Sequence, residues 1–266
     1  MRISLVTPSY NQATFIRRTI DSVLAQRGDF ELDYKVIDGG STDGTRAILE
    51  AYGDRLTWVS ERDRGQVDAI NRGLRSATGD VVGWLNSDDV LMPGALARVA
   101  EAFNAHPTAE WLHGRCVIID EEDREVRRWI SAYKHYRSQH HSLEQFLTEN
   151  YVSQMTVFWR RSVHGDIGYL DPEIRYAFDY DLFLRLAQRC APLYIEEPLA
   201  CFRWYATSKS GGGFVVQMTE TTEIASRSRA ATNWTRVQAL AKKSAIINVY
   251  RALGVARTTF YRVRQR

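Results

Sequence analysis

The stretch VVGWLNSDDV, residues 81–90, follows an apolar run with two adjacent carboxylates, Asp88 and Asp89. Neighbouring carboxylates repel each other, and neither is buried cheaply without a positive partner. Divalent cations such as Mg²⁺ and Mn²⁺ take oxygen ligands and are usually held by one or two carboxylates together with substrate phosphates. The pair therefore predicts a divalent-metal site. A helix start that acidic side chains stabilise is the alternative, because PGALARVAEAF follows.

Two other acids occupy comparable positions in the chain. Asp38 ends the β-rich run YKVID, and Glu61 follows the run LTWVS. Open α/β sheets bind ligands beyond the carboxyl ends of their strands, so we expect Asp38, Glu61 and Asp88 to converge on one rim. The loop GGSTDGT after Asp38 contains turn glycines and capping residues, so a capped turn is the alternative for this segment.

Strand and helix patterns alternate through the first half of the chain. Strands are predicted at ISLVT, YKVID, LTWVS and VVGWLN, with helices at about 15–24, 45–52 and 66–77. This alternation is typical of an α/β fold, a three-layer α/β/α sandwich with a mainly parallel central sheet. In the second half, strands are predicted at EWLHGRCVIID, EVRRWIS, MTVFW and APLYIEEPLACFRW, and a helix at YDLFLRLAQR.

Composition excludes several classes of protein. A hydrophobic content of 44% and a charged content of 25% are ordinary for a soluble globular protein. No apolar stretch approaches the roughly 18–20 residues of a membrane helix, and the start of the chain does not resemble a signal peptide. Three widely separated cysteines have neither disulfide nor zinc spacing. Neither the dinucleotide-binding nor the P-loop pattern is indicated. The expected location is the cytoplasm.

Four segments, taken in order, resemble family-2 glycosyltransferases. They are SLVTPSYNQATFIRRTIDSVLAQ, VIDGGSTDGT, SERDRGQVDAINRGLRSATGDVVGWLNSDDVLMPGAL and YDLFLRLA, within residues 1–205. The resemblance implies a GT-A fold, a UDP-, GDP- or dTDP-sugar donor and a divalent cation, Mn²⁺ or Mg²⁺. It also implies transfer of a hexose, with inversion, to a saccharide or lipid-linked acceptor. Polysaccharide or glycolipid assembly for the cell envelope is the expected setting.

The resemblance implies roles at individual positions around the donor. Three residues match the loop that lines the nucleotide pocket: Pro8, Tyr10 and Asn11. Asp38 matches the acid that reads the base, while Glu61 and Asp63 match a segment beside the nucleotide and the sugar.

The segment NSDD matches the D-x-D metal motif of the family. Asn86 replaces its first acid, Asp88 is the implied metal ligand, and Asp89 lies near the donor sugar or shares the metal. Many relatives carry a histidine near the metal where this chain has Tyr205, a poor metal ligand when neutral. Arg203 and Lys209 would then supply positive charge to the phosphates.

The segment YAFDYDLFLRL resembles the place where the family keeps its catalytic base, often written Glu-Asp. Phe178 stands in the position of the Glu, so Asp179 is the implied base. Asp181 competes for this role, although its spacing of four residues from Arg185 also explains it as an intrahelical ion pair. A plain helix N-cap is the alternative for Asp179. Four residues belong either to the sugar and acceptor pockets or to the core: Trp84, His113, Gln154 and Trp159.

Charge is unevenly distributed along the chain. The net charge is +3, and ten lysines and arginines but no acid follow Glu223, so the first 223 residues carry −7. With SGGGF as a linker, the sequence predicts a domain at 1–210, with a nucleotide-binding half at 1–118 and an acceptor-side half at 119–210. A basic helical extension follows at 211–266. It suggests peripheral contact with the inner face of a membrane, or else a solvated helical face. No nucleic-acid-binding module is recognised.

Two other functions compete with sugar transfer. A sugar-phosphate nucleotidyltransferase has a related sheet and uses a metal, but TPSYNQA lacks the Gly-rich, Arg-bearing loop that such an enzyme has after its first strand. A non-catalytic nucleotide-sugar-binding protein would keep Asp38 and lose the base, and the presence of Asp179 weighs against it.

Overall fold

The computed structural model describes residues 1–205, 207–209 and 213–264, with side chains as far as residue 248. The strands are β1 (Arg2–Ser9), β2 (Glu31–Asp38), β3 (Thr57–Ser60), β4 (Val81–Trp84), β5 (Val90–Leu91), β6 (Trp111–Ile119), β7 (Phe158–Arg160) and β8 (Leu193–Arg203). The α-helices are α1 (Ile16–Leu24), α2 (Thr45–Glu50), α3 (Gln66–Arg75), α4 (Ala95–Ala105), α5 (Arg128–Gln139), α6 (Leu143–Phe146), α7 (His164–Ile167), α8 (Phe178–Ala187), α9 (Phe214–Arg227) and α10 (Asn233–Arg264).

The described strands form one mixed sheet in the order β3-β2-β1-β4-β7-β6-β8-β5. The pairs β1–β2, β2–β3 and β1–β4 are parallel, as the alternation of strands and helices predicts. The short strand β7 runs antiparallel to both β4 and β6, and β6 is parallel to β8. The residues of β1 from Ile3 onward are buried, as expected of a central strand covered on both faces.

Helices cover both faces of the sheet and give the three layers. On one face, apolar residues of α1, α2 and α4 pack in a single cluster, which includes Ile20, Leu49 and Phe103. On the other face, α3 and α8 pack in a second cluster, which includes Ile70 and Phe183. The predicted α/β/α architecture is therefore confirmed, and the parallel half of the sheet brings the ends of β1, β2, β3 and β4 to one rim.

The prediction of a strand at EVRRWIS is wrong. Only its first residues are extended, where Glu125 bridges Ile119. Arg127 then takes a left-handed conformation with φ of 53°, which ends the extended backbone and starts α5. Its guanidinium lies 3.5 Å from the centre of the Trp204 ring, so a tertiary contact accompanies the change. Local β-propensity is a weak guide where such contacts decide the backbone.

The basic extension packs on the α/β body instead of standing apart from it. Ala225 of α9 is buried in the cluster that contains α3 and α8. The Glu220 carboxylate of α9 accepts hydrogen bonds from the backbone N–H groups of Tyr176 and Ala177, at 2.7 and 2.9 Å. Most of the predicted linker, residues 210–212, lies outside the described residues, and the domain boundary at residue 210 stays a prediction. In the part of the chain described here, no helix has the length and hydrophobicity of a membrane span.

Candidate active site

A cavity of about 1460 Å³ opens at the rim where β1, β2 and β4 end. Six of the predicted site residues line it: Pro8, Tyr10, Asp63, Asn86, Asp88 and Asp179. Five others lie behind or beside its lining: Asn11, Asp38, Glu61, Asp89 and Arg203. The cavity therefore lies at the edge of the sheet where the sequence places the strand ends, but the acids there have different surroundings.

Asp38 supports the loop at the nucleotide end of the cavity. Its carboxylate is completely buried and accepts hydrogen bonds from the backbone of Gly40 and Ser41 and from the hydroxyls of Ser41 and Ser60. These bonds fix the turn that presents Gly39 and Gly40 to the cavity. Asp38 does not itself line the cavity, so the reading of a base by Asp38 stays a prediction.

Asn11 and Glu61 do not line the cavity, and each binds a neighbouring part of the fold. Asn11 has a left-handed φ of 51°, and its side-chain oxygen accepts a hydrogen bond from the backbone N–H of Thr42 at 2.9 Å. It therefore fastens the loop after β1 to the loop after β2. The exposed carboxylate of Glu61 pairs with Arg72 of α3. Glu61 therefore lies against α3 and does not line the cavity, and its place beside the donor stays a prediction.

Asp63 is the acid that faces the cavity at this end. A side-chain carbon on Gly39 would lie 2.7 Å from its Oδ2, so the glycine is what allows the carboxylate to approach the turn after β2. Its Oδ1 accepts a hydrogen bond from the backbone N–H of Gly65 at 2.8 Å. Burial raises the pKa of Asp63, and the nearby acids Asp68 and Asp38 add to this effect.

Asp88 and Asp89 have different surroundings. Asp88 faces the cavity, and the hydroxyl of Tyr205 donates a hydrogen bond to its Oδ2 at 2.9 Å. Asp89 is completely buried, and its Oδ1 accepts the backbone N–H of Arg203 at 2.9 Å. Burial raises the pKa of both carboxyls, and the Asp88 charge raises that of Asp89 further. The expectation that Asp89 faces the donor or shares the metal is not met, because its carboxylate is used inside the fold.

Arg203 is also not placed as a phosphate ligand. Its side chain has 0% exposure, and its guanidinium donates to the backbone oxygens of Asp88 at 2.8 Å and Asp120 at 2.7 Å. The same group lies 2.6 Å from an Asp123 carboxylate oxygen and 4.9 Å from the centre of the Phe15 ring. A buried cation needs such partners, and here they hold the backbone of the Asp88 turn. Arg203 is a positioning residue.

Asp179 faces the same cavity from the first turn of α8. Its Oδ1 accepts the backbone N–H of Tyr180 at 2.7 Å. Burial raises the pKa of Asp179, while Lys134 and Lys209 draw it back towards the ordinary value. Asp181, the competing acid, forms an ion pair with Arg185 at 2.7 Å and does not line the cavity. The geometry therefore separates the two acids, and Asp179 is the one a ligand can reach.

The family profile described as "Glycosyl transferase family 2" matches residues 4–167, more than half of the chain. The chain belongs to glycosyltransferase family 2. A PGL/p-HBAD biosynthesis glycosyltransferase of Mycobacterium bovis is 31% identical over 188 residues, which are 68% of this chain and 68% of that protein. Family membership removes the nucleotidyltransferase alternative. Asp179 lies beyond the matched segment, so its role has to be argued from its surroundings.

Solved structures of other glycosyltransferases share the fold. S. aureus TarS has a TM-score of 0.64 and 19% identity, over 91% of this chain and 43% of the longer TarS chain. Mannosyltransferase PcManGT from Pyrobaculum calidifontis, solved with GDP-Man and Mn²⁺, also has a TM-score of 0.64 and 19% identity, over 95% of this chain and 80% of its own. These similarities show the fold, which is the GT-A type that the sequence predicts.

The family suggests a divalent cation at the donor end of the cavity. Among the described residues, no three His, Cys, Asp or Glu side chains come together as a metal cluster. Asp88 lines the cavity, and the hydroxyl of Tyr205 occupies its Oδ2. One carboxylate fits a cation that takes its remaining ligands from substrate phosphates and water. The site therefore fits a metal that binds together with the donor.

Several site residues of this glycosyltransferase were not found from its sequence. Gln66 of α3 donates to the Asn86 side-chain oxygen at 2.9 Å and accepts a hydrogen bond from Lys209 at 2.9 Å. Asn86 in turn donates to Gln154 at 3.1 Å, and Lys134 of α5 donates to Ser153 at 3.2 Å. A polar residue opening a helix just after a strand-end loop, as Gln66 does, is the pattern that could have revealed the first of them.

Two of the four residues left open between pocket and core line the cavity, although Trp84 also belongs to the buried core. Trp84 and Gln154 line the cavity, and Gln154 donates to the backbone oxygen of Trp84 at 2.7 Å. His113 and Trp159 are core residues. Burial lowers the pKa of His113 to about 3, so this imidazole is neutral at physiological pH.

Replacing Arg203 with Met should lower the free energy of unfolding by about 2–4 kcal/mol, because two buried hydrogen bonds from a charged donor are lost. Arg124→Met is the matched control. Arg124 pairs with the carboxylate of the same Asp120 but is 71% exposed, so its loss should cost much less than the loss of Arg203. Urea unfolding followed by circular dichroism measures both. Equal effects of the two substitutions would contradict the positioning role of Arg203.

Proposed function

We propose that this family-2 glycosyltransferase transfers a hexose, with inversion, from a nucleotide-diphospho-sugar to an acceptor hydroxyl in polysaccharide or glycolipid assembly. The observation that carries the proposal is that Asp88 and Asp179, from separate elements, line one cavity. Asp88 suits a cation-bound diphosphate, and Asp179 suits a hydroxyl that must lose its proton. A binding protein would have no use for the second of these groups.

The donor end of the cavity has the features of a nucleotide pocket. Pro8 and Tyr10 line one side of it, Gly39 and Gly40 bring backbone close, and Asp63 supplies an acceptor for hydrogen bonds. Related folds were solved with such donors: TarS with UDP and UDP-GlcNAc, and PcManGT with GDP-Man and Mn²⁺. We extend this class of donor to the present chain, with Asp38 and Asn11 shaping the loops around it.

Asp88 and Lys209 would handle the charge of the diphosphate. A divalent cation held by Asp88 would neutralise the negative charge that grows on the leaving diphosphate. Lys209 lines the same cavity and is oriented by its hydrogen bond to Gln66. Its ammonium lies 4.8 Å from the centre of the Phe178 ring, which keeps it beside the residue that precedes the base. Arg203 does not contact the diphosphate in this proposal and acts by holding the Asp88 turn and Asp89.

Asp179 acts as the general base. The acceptor oxygen attacks the anomeric carbon from the face opposite the diphosphate, the bond to the diphosphate oxygen breaks, and the hydroxyl proton passes to the Asp179 carboxylate. A single displacement of this kind inverts the anomeric centre. A base works best when its pKa approaches the working pH, and the burial of Asp179 moves its pKa in that direction.

The donor proposal predicts metal-dependent stabilisation by one nucleoside diphosphate. Melting curves with UDP, GDP or dTDP, each with and without Mn²⁺, should show one combination that stabilises the protein. Ligand at about 100 times its dissociation constant adds roughly 2.7 kcal/mol. Asp88→Asn should remove the Mn²⁺-dependent part of the shift. Absence of any shift with all three nucleotides would refute this donor class.

The base proposal predicts that Asp179→Asn keeps this stabilisation and loses turnover by about 10²–10⁴-fold, the usual contribution of a general base. Release of nucleoside diphosphate from the sugar donor, with a panel of methyl and octyl glycosides as acceptors, measures turnover. The control Asp181→Asn should remain within a few-fold of wild type. In wild type, kcat/KM should fall as the pH drops through the pKa of Asp179, which burial raises above the ordinary carboxyl value. Unchanged turnover in Asp179→Asn would favour another base.

A cytoplasmic location, with the basic C-terminal segment on the inner face of a membrane, is also part of the proposal. It rests on the ten basic residues after Glu223. Replacing Arg257, Arg262, Arg264 and Arg266 with Gln should weaken co-sedimentation with vesicles of anionic lipid, since each basic residue near such a surface contributes about 1 kcal/mol. Neutral vesicles serve as the control. Equal recovery of both proteins on anionic vesicles would exclude membrane contact by this segment.

A further inference from the structure

The cavity is larger than a nucleotide-sugar needs. Its volume of about 1460 Å³ exceeds the range of roughly 300–1,000 Å³ that is usual for a pocket holding one small ligand. Part of its lining comes from three helices, α5, α9 and α10. We call the part of the cavity that these helices line the helical chamber.

Each of these helices presents one stripe to the helical chamber. The lining includes Trp129 and Tyr133 of α5, Phe214 and Met218 of α9, and Ala239 and Lys242 of α10. Spacings of three and four residues place the members of each set on one side of their helix. The stripes carry large apolar side chains, and at the mouth Trp129 and Tyr133 remain 58% and 47% exposed.

Several polar groups on these stripes are already used within the protein. The hydroxyls of Thr221 and Thr222 donate to the backbone oxygens of Gln217 and Met218, both at 2.8 Å. The Lys242 ammonium donates to Thr148 at 2.8 Å. What these residues offer a ligand is methyl and methylene surface, so the helical chamber is more apolar than its composition suggests.

The helical chamber adjoins the base. Lys134 of α5 interacts electrostatically with Asp179, and the two residues that precede α8 are bound by Glu220 of α9. A ligand whose hydroxyl reaches Asp179 would have its remaining part directed between α5 and α9. This is the acceptor side of the reaction, because the donor end lies beyond Asp88.

The walls of the helical chamber are fixed to each other through Glu149. This nearly buried carboxylate accepts a hydrogen bond from Tyr133 of α5 at 2.8 Å and from Lys242 of α10 at 3.1 Å. Arg137 of α5 lies 2.6 Å from it. A carboxylate with these partners holds α10 against α5, so the apolar stripes face each other across a defined gap.

We propose that the acceptor of this enzyme is amphipathic: its reacting hydroxyl is carried by a group joined directly to an alkyl or aryl aglycone, which occupies the helical chamber. The inference rests on the proposed function, because it names the class of acceptor for that transfer. A free, fully polar sugar would leave the apolar stripes of α5, α9 and α10 in contact with water, whereas an aglycone removes them from it.

Titration calorimetry with matched glycosides tests this without the donor. Octyl and methyl β-glucoside, with galactoside and mannoside pairs in parallel, are titrated into the full-length protein below the micellar concentration. Each methylene that leaves water is worth about 0.8 kcal/mol, or about fourfold in affinity. At least one octyl glycoside should therefore bind more than about tenfold tighter than its methyl partner.

Two matched pairs of variants locate the bound chain. Trp129→Gln and Met218→Gln alter the helical chamber, while Trp234→Gln and Val216→Gln alter exposed residues of α10 and α9 outside it. The first two should reduce octyl-glycoside affinity at least about fivefold, which corresponds to the loss of one or two buried methylenes. The other two should bind as wild type does. Circular dichroism checks the folding of Met218→Gln, and Trp129 is exposed enough for its variant to fold regardless.

Three results would overturn the proposal: equal affinity of octyl and methyl glycosides, no binding of any octyl glycoside, or wild-type affinity in both chamber variants. The melting curves with nucleoside diphosphates test the donor separately. If octyl glycosides bind more tightly than methyl glycosides but no nucleoside diphosphate stabilises the protein, the chamber binds apolar ligands and the proposed sugar transfer is refuted. If a nucleoside diphosphate stabilises the protein but octyl and methyl glycosides bind equally well, the proposed donor class stands and the amphipathic acceptor is refuted.

Discussion

The buried guanidinium of Arg203 is the interaction on which the rest of the site depends. A cation with no exposed surface is stable only when every side of it is matched, and here backbone oxygens from two loops, a carboxylate and an aromatic face do so. The backbone of the same residue binds Asp89. One residue thereby holds both the backbone of the Asp88 turn and the carboxylate of Asp89.

The site concentrates carboxyl groups whose ionisation is disfavoured by burial. The pKa values of Asp88, Asp89 and Asp179 are all raised. Such groups add stability when protonated, and this contribution is lost as the pH rises from the ordinary carboxyl pKa through the raised values. At neutral pH the empty site therefore carries an electrostatic cost, which positive charge offsets. Lys134 and Lys209 provide part of that charge beside Asp179, and a cation entering with the donor would provide it at Asp88.

Much of the fold and part of the site followed from the sequence for a physical reason. Parallel strands put their ends on one edge, so the positions of Asp38, Glu61 and Asp88 along the chain were enough to place them on one rim. Which way each side chain points depends on contacts between distant residues. Asp89 turned inward because Arg203, more than 100 residues later, supplies its N–H, and Glu61 turned to Arg72. Lys134 was missed because its helix begins at a left-handed Arg127 that no local pattern indicates.

The two acids proposed to act in the reaction and the helices that line the helical chamber come from different parts of the chain. Asp88 and Asp179 lie within the α/β body, whereas α9 and α10 follow it and reach the cavity only from outside. Neither Asp88 nor Asp179 lies on these two helices, although Glu220 of α9 binds the backbone just before Asp179. If the helical chamber binds the acceptor as proposed, changes on these helices would alter what is glycosylated while Asp88 and Asp179 stay the same. Relatives with similar first halves and divergent C-terminal helices would then form a set of enzymes that catalyse the same reaction on different acceptors.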